Sequence, residues 1–365
     1  PCSQAALIDE NGSPVYLTPK MDKQEEIYTQ AMQYLDDAIA DLQKEDLIDP
    51  EAQDLLYQGD AEKWLKLAYG LKARYTMHLL KRSANKDADM EKVLEYVNNS
   101  FESAEEQAAF DVYDANNINP LYGFFVARAG LGASESMRSK LAEYNDPRLS
   151  RAFITKQGTS GKEQAPGTAD NAVYAPNGTP EQGTSKYGTS LFMYSISAPT
   201  LLLSYHELKF LEAEALCRLE RDAKSALKDA VVAGLLNAEN SFTISRKELG
   251  KTLINAASSI TEAEAESYFD NTIEAKYTAE PLKTTMTQKY FALWGASGEA
   301  TESYNDVRRM KGLGENFIEL KNPNSFPLRC PYGNSDTTTN AEVKAAYGNG
   351  QYVYSENVWW AGGSR

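Results

Sequence analysis

Leu203-Ser204-Tyr205-His206-Glu207-Leu208-Lys209-Phe210-Leu211-Glu212-Ala213-Glu214-Ala215 is the stretch on which the reading of the fold turns. With the residues on either side, Leu201, Tyr205, Leu208, Leu211, Ala215 and Leu219 recur at spacings of three and four. That is the period of a helix with one apolar face, and it predicts a helix over 199–219. Ala213 and Ala215 alternate with larger side chains, a pattern that lets paired helices approach closely.

Working outward, the same period predicts helices over 24–43, on Ile27, Ala31, Leu35, Ala38, Ile39 and Leu42, and over 61–82 behind Asp60 as the cap. The inner face of the second is Trp64, Leu67, Ala68, Leu71, Tyr75 and Leu79. Its other face is basic, with Lys63, Lys66, Lys72, Arg74, Lys81 and Arg82. Further helices are expected over 88–98, 222–236, 246–257, 262–277, 281–294 and 299–311. Ala223, Ala226 and Ala230 repeat the small-residue pattern, but no strict 34-residue period carries the full tetratricopeptide signature. The expected fold is mostly α, made of degenerate tetratricopeptide-like helical repeats with long irregular loops. We expect one domain over 1–365, with helical scaffold at about 20–100 and 199–311, an irregular segment at about 110–195 and an irregular, aromatic tail at 312–365.

Composition narrows the function. At 365 residues the chain can bury roughly three quarters of its unfolded surface. Hydrophobic residues at 42% and charged residues at 24% exclude global disorder. A net charge of -15 counts against nucleic acid as a partner, because phosphates need a basic surface. The basic face of 61–82 is therefore expected to be packed or solvated locally. No apolar run reaches the roughly 18 residues of a membrane helix. The opening Pro1-Cys2-Ser3-Gln4 shows no initiator Met and no signal peptide, which reads as a trimmed start. Three cysteines and two histidines, His78 and His206, leave no supply for a disulfide framework or a Cys/His zinc site, and no cofactor or metal is expected.

The chain has no GxSxG elbow, no GxxxxGK[ST] loop, no HExxH and no GxGxxG. Glu207 and Glu214 lie two helical turns apart, about 10 Å, close to the separation of an inverting glycosidase pair. Both also sit where helix surfaces ordinarily carry solvated or capping acids, so no catalytic residue is assigned. The oxygen-rich run Asp111–Asn117 lacks the calcium-loop spacing and reads as a turn capped by Asp and Asn side chains.

Between Lys156 and Ser190, 17 of 35 residues are Gly, Pro, Ser or Thr and none is Leu, Ile, Met or Phe. This reads as a long surface excursion without packed elements, either functional or a disordered insertion. Tyr174, Tyr187, Phe192 and Tyr194 lie in or beside it, among Asn177, Gln182, Thr184, Lys186 and Ser190. A sugar offers an apolar C–H face and a rim of hydroxyls, which aromatic plates with amide neighbours satisfy together. The alternative is that the rings anchor the loop to the helices. The expected ligand site is the segment 170–194, with Tyr174, Asn177, Tyr187, Phe192 and Tyr194, and with Tyr122 from the other irregular region.

Five stretches in order then carry a resemblance. The 203–215 helix resembles the "tyaElkFilAEA" helix of SusD/RagB-like proteins. Gly59-Asp60-Ala61-Glu62-Lys63-Trp64-Leu65-Lys66 with Leu71-Lys72-Ala73-Arg74 resembles "GDvekWiKfAnsLKlR", and Asn145-Asp146-Pro147-Arg148-Leu149 resembles "nDPRl". Tyr304-Asn305-Asp306-Val307-Arg308-Arg309 after Gln288-Lys289-Tyr290, and Pro327-Leu328-Arg329-Cys330-Pro331-Tyr332 with Val358-Trp359-Trp360, complete the set. The resemblance implies a SusD-like α-α superhelix and a surface lipoprotein of the outer membrane of Bacteroidetes. Such a protein binds a nutrient, usually a glycan, and works with a SusC-like TonB-dependent transporter. It is not an enzyme. Pro1–Leu7 stands where the family has a "PYSEAL"-like segment, so the lipid-bearing Cys is expected upstream and Cys2 is not that residue. The family's aromatic binding arc lies in variable regions, and none of its residues transfers here. Two alternatives stay open: a glycoside hydrolase, and a helical-repeat interaction scaffold without a small ligand.

Overall fold

The computed structural model describes residues 3–45, 51–128, 131–157, 163–167, 174–178, 186–322 and 324–364. In chain order the helices used below are α1 (Gln24–Leu42), α2 (Ala61–His78), α3 (Lys86–Asn98), α4 (Pro120–Arg128), α5 (Glu135–Glu143), α6 (Tyr205–Arg218), α7 (Lys224–Leu249), α8 (Glu262–Tyr268), α9 (Glu274–Ala279), α10 (Pro281–Ala292) and α11 (Ala300–Leu313). The short helices α12 (Asn334–Thr339) and α13 (Ala341–Tyr347) follow in the tail. The chain is mostly helical, as the spacing predicts. α1 packs on α2, α2 on α3, α3 on α6 and α6 on α7, and α10 closes against α6 and α7.

α6 divides two cores. Its Leu208, Leu211 and Ala215 join Met77, Leu80, Met90 and Val93 on the α2–α3 side. Its Phe210 and Ala213 join Ala226, Ala230, Leu235 and Phe291 on the α7–α10 side. A helix buried on both faces needs apolar residues nearly all round. Each of Leu208, Phe210 and Leu211, at 1% exposure or less, contributes about 1.5–3 kcal/mol. Small residues set the spacing. Ala226, Ala230, Gly234 and Ala238 lie four apart along α7, all buried. A Cβ on Gly234 would stand 2.8 Å from that of Ala292 on α10, so only glycine permits this approach.

Three expectations need correction. The helix predicted over 199–219 begins only at Tyr205. Ser204 accepts a bond from the Glu207 N–H at 3.1 Å, a cap that leaves the preceding backbone extended. Thr200–Leu203 instead forms a strand against Ala108–Phe110, with Leu201 and Leu203 buried and Leu202 facing out.

The helices predicted over 222–236 and 246–257 are one, α7, ending where Gly250 takes φ +51°. The polar run that suggests a break is satisfied by distant partners. Glu239 pairs with Arg246 and accepts the Ile260 N–H at 2.9 Å, and the Ser241 carbonyl accepts Ser195 Oγ at 3.0 Å.

Finally, the polar excursion does build packed structure. Phe153–Gln157, Glu163–Pro166 and Thr189–Ser190 form a three-stranded antiparallel sheet, with the first strand central. Gly188 makes it possible, since a Cβ there would meet the Ile154 carbonyl at 2.7 Å. Phe153 and Ile154 of the central strand carry the sheet into the main core, and the small residues of the excursion pair with them through the backbone. The turn-rich region 110–150 likewise holds α4 and α5.

Candidate functional site

One buried asparagine places the first part of the expected site. Asn119 donates from Nδ2 to the Ala198 and Ala296 carbonyls, at 2.8 and 3.2 Å, and its Oδ1 accepts the Leu121 N–H at 2.8 Å. It thereby starts α4 and fixes it against the scaffold. Leu121-Tyr122-Gly123-Phe124-Phe125-Val126 is apolar all round, and a short surface helix cannot bury every face. Phe125 turns inward, edge-on to Tyr194 at 5.2 Å. Phe124 and Val126 are left 52% and 61% exposed. Tyr122 is half-buried beside them and donates its hydroxyl to Glu248 at 3.1 Å. Burial, and then that carboxylate, raise its pKa.

The second part lies over α5. The Ala175 N–H donates to the Ala133 carbonyl at 2.7 Å and the Glu135 N–H to the Ala175 carbonyl at 3.0 Å, pinning 174–178 to the start of that helix. Tyr174 is half-buried, edge-on to Phe153 at 5.3 Å with the Arg138 guanidinium 5.5 Å from its ring. Burial raises its pKa. Ser134 Oγ donates to Asn177 Oδ1 at 3.1 Å, and Asn177 Nδ2 donates to Asn322 at 3.2 Å.

The expected site residues therefore separate. Tyr122 and Tyr194 meet at α4, while Tyr174 and Asn177 sit together over α5. Phe192 does not belong to a surface. It is 1% exposed, stacked on Phe242 at 4.6 Å and edge-on to Trp294 at 5.1 Å. Tyr187 is buried as well, with Lys186 5.2 Å above its ring. Phe153 links the two settings, touching both Tyr174 and Trp294. Phe124 and Val126 escape the sequence reading, although the uninterrupted apolar run in α4 signals them. Gln182 and Thr184 lie outside the described residues.

The acidic pair considered for hydrolysis is sealed inside the scaffold. Glu207 and Glu214 are wholly buried. Arg74 grips Glu207 through two nitrogens, at 2.9 and 2.5 Å. Arg309 grips Glu214 at 2.5 and 2.7 Å, and Arg218 adds a bond at 2.7 Å. Burial alone would raise the Glu214 pKa, but the two guanidiniums override it and hold the carboxyl below the usual range. Neither acid can reach a substrate.

Of the basic face of 61–82, buried Arg74 belongs to this network, buried Lys72 pairs with Asp36 and Lys66 with Glu106, while Lys81 and Arg82 are exposed. The histidines, which show no partner in the sequence, each have a carboxylate. His78 Nε2 donates to Glu302 at 2.8 Å, and His206 lies 3.2 Å from Glu299. Burial opposes the Glu302 charge, yet His78 brings its pKa down to about 2. Asp114 accepts the Asn116 and Asn117 N–H groups at 2.7 Å each, so the oxygen-rich run is the capped turn it reads as. Among the described residues, no three His, Cys, Asp or Glu side chains are grouped to hold a metal. Among the same residues, no helix is long and apolar enough to cross a membrane.

Comparison with known proteins agrees with this architecture. A SusD/RagB family protein from Bacteroides thetaiotaomicron is 67% identical, with a TM-score of 0.92 over 95% of this chain and 75% of its own. A SusD homologue from Bacteroides fragilis, 19% identical, superposes with a TM-score of 0.70 over 94% of this chain and 76% of its own. A chitin-binding protein, 21% identical, gives 0.67 over 97% and 76%. No curated protein matches the chain. Residues 1–332 match the SusD-like family described as starch-binding and associating with the outer membrane, and the chain belongs to that family.

Proposed function

We propose that this chain captures an oligosaccharide at the outer-membrane surface and passes it, unaltered, to a SusC-like TonB-dependent transporter. The observation that carries the reading is a contrast in where side chains are placed. Rings and amides come to the surface at 120–126 and 174–178, while the acids suited to hydrolysis are locked in ion pairs. Capture needs affinity without chemistry, and stacking planes beside amides supply it. Tyr122, Tyr174, Asn177 and Tyr194 are the proposed contacts. Tyr187 and Phe192, both buried, are not among them. The family's starch-binding description and the chitin-binding relative favour a polysaccharide-derived ligand. The helical half is proposed to face the transporter, since rigid helices give shape and loops give adaptability.

Calorimetry against a broad panel of neutral oligosaccharides, with product analysis on the same mixtures, tests this. Binding without cleavage is expected. Turnover would make the chain a hydrolase. An absence of binding at millimolar concentrations throughout would favour an interaction scaffold.

A further inference from the structure

The segment after α11 forms a polar concavity beside the proposed ligand face. A bay of about 300 Å³ opens there, lined by Lys311, Asn316, Glu319, Asn322, Asn324 and Phe326 over the aliphatic side chains of Ile318 and Leu320. That volume is at the lower end of ordinary small-ligand sites. The three asparagines are exposed and Phe326 is half-buried.

α5 joins the bay to the first site. Its cap Ser134 holds Asn177, and Asn177 in turn donates to Asn322 on the rim. Its Arg138 covers Tyr174. Its half-buried Lys140, bonded to Ser136 at 2.7 Å, feels the charges of Glu319 and Lys321. The 174–178 segment, α5 and the 316–326 segment are thus one connected surface.

The chemistry of the bay is specific. Each asparagine amide offers two donors and an acceptor, the set that neighbouring sugar hydroxyls need. Phe326 is braced by Lys311, 5.2 Å from its ring, and by Tyr304 at 5.8 Å. Such a held ring suits the C–H face of a pyranose. Lys311 and Glu319 are the charged residues of the lining. Glu319 is also paired with Lys321 at 2.5 Å. Uncharged amides make up half of the six polar and aromatic lining positions, which suits a ligand held through its hydroxyls.

We infer that this bay is a second subsite for a neutral glycan, continuous through Asn177 with the ring surface at Tyr174. The inference rests on the glycan-capture reading and adds a site to it. A ligand long enough to span both would be gripped at two points, so short oligomers should bind more weakly than long ones.

The test is calorimetry of the full chain with malto- and chito-oligosaccharides of two to eight units. The unaltered chain is compared with Asn322→Ala, Asn324→Ala and Phe326→Ala, and circular dichroism melting monitors folding. We expect affinity to rise with ligand length. Asn324→Ala and Phe326→Ala should weaken the longer ligands about 5- to 30-fold and change dimers little. The asparagine variants keep the test sound if Phe326→Ala fails to fold, because their side chains are exposed. Loss of binding in Tyr174→Ala with full affinity in all three bay variants would overturn the subsite and leave the capture reading standing. No binding of any oligomer by the unaltered chain would overturn both.

Discussion

Arg309→Met removes the cation at the centre of the scaffold while keeping an unbranched apolar stem. Arg309 is fully buried, and it bonds Glu214 through two nitrogens and Asp306 at 2.8 Å. Breaking a buried pair from one side costs about 3–5 kcal/mol, because the remaining charge is stranded. Here the loss is partly covered. Glu214 keeps Arg218 at 2.7 Å, and Asp306 keeps Lys289 at 2.8 Å. The lower end, about 3 kcal/mol, is therefore expected. With an unfolding entropy of about 2.1 cal/mol/K per residue, that lowers Tm by about 4 °C.

The pH dependence gives a second readout. Glu214 has a lowered folded pKa, so its contribution is complete above the ordinary glutamate value of about 4.3 and is lost as pH falls toward the folded value. Acid removes from the parent what the substitution has already removed from the variant. The stability difference, measured by urea denaturation followed by circular dichroism, should shrink steadily below pH 4. A variant within about 1 kcal/mol of the parent at pH 7, or a difference unchanged down to pH 3, would refute the claim that this network holds the helices together.

Other expectations follow from single contacts. Phe192→Ala should cost about 3–5 kcal/mol in denaturant titration, as a core cavity does, because this ring stacks on Phe242 inside the scaffold. Tyr174→Ala should leave the melting temperature almost unchanged and weaken oligosaccharide binding by about 5- to 30-fold in calorimetry, the loss of one stacked ring. Gly312→Ala should destabilise by about 1–3 kcal/mol in thermal melts. Its Cβ would fall 2.5 Å from the Ala361 carbonyl, where the tail closes on α11.

The helical scaffold is legible in the sequence because a face repeated every three or four residues reports burial directly. Ile27, Ala31, Leu35 and Ile39 are all half-buried on a helix that packs on α2, and the α6 faces carry both cores. What stays hidden depends on partners far along the chain. The unbroken course of α7 rests on Glu239 and Ser241, whose partners include Ile260 and Ser195. The strand before α6 needs Ala108–Phe110 to exist. Phe192 looks exposed because its sequence neighbours are polar, yet its ring partners, Phe242 in α7 and Trp294 just after α10, come from far along the chain. The aromatic composition of 174–194 thus does not sort surface rings from core rings. The bay at 316–326 carries no sequence signal at all, since its asparagines come together only when the tail folds beside α5.

The most direct measurement is a crystal structure of the complete chain with the longest oligosaccharide it binds. The account predicts sugar rings on the surface formed by α4, residues 174–178 and the loop ending at Tyr194, with a Tyr122 or Tyr174 ring against a pyranose face and Asn177 bonded to a hydroxyl. Density for the ligand on the helical faces of α6 and α7, with the 120–126 and 174–178 surfaces bare, would contradict it.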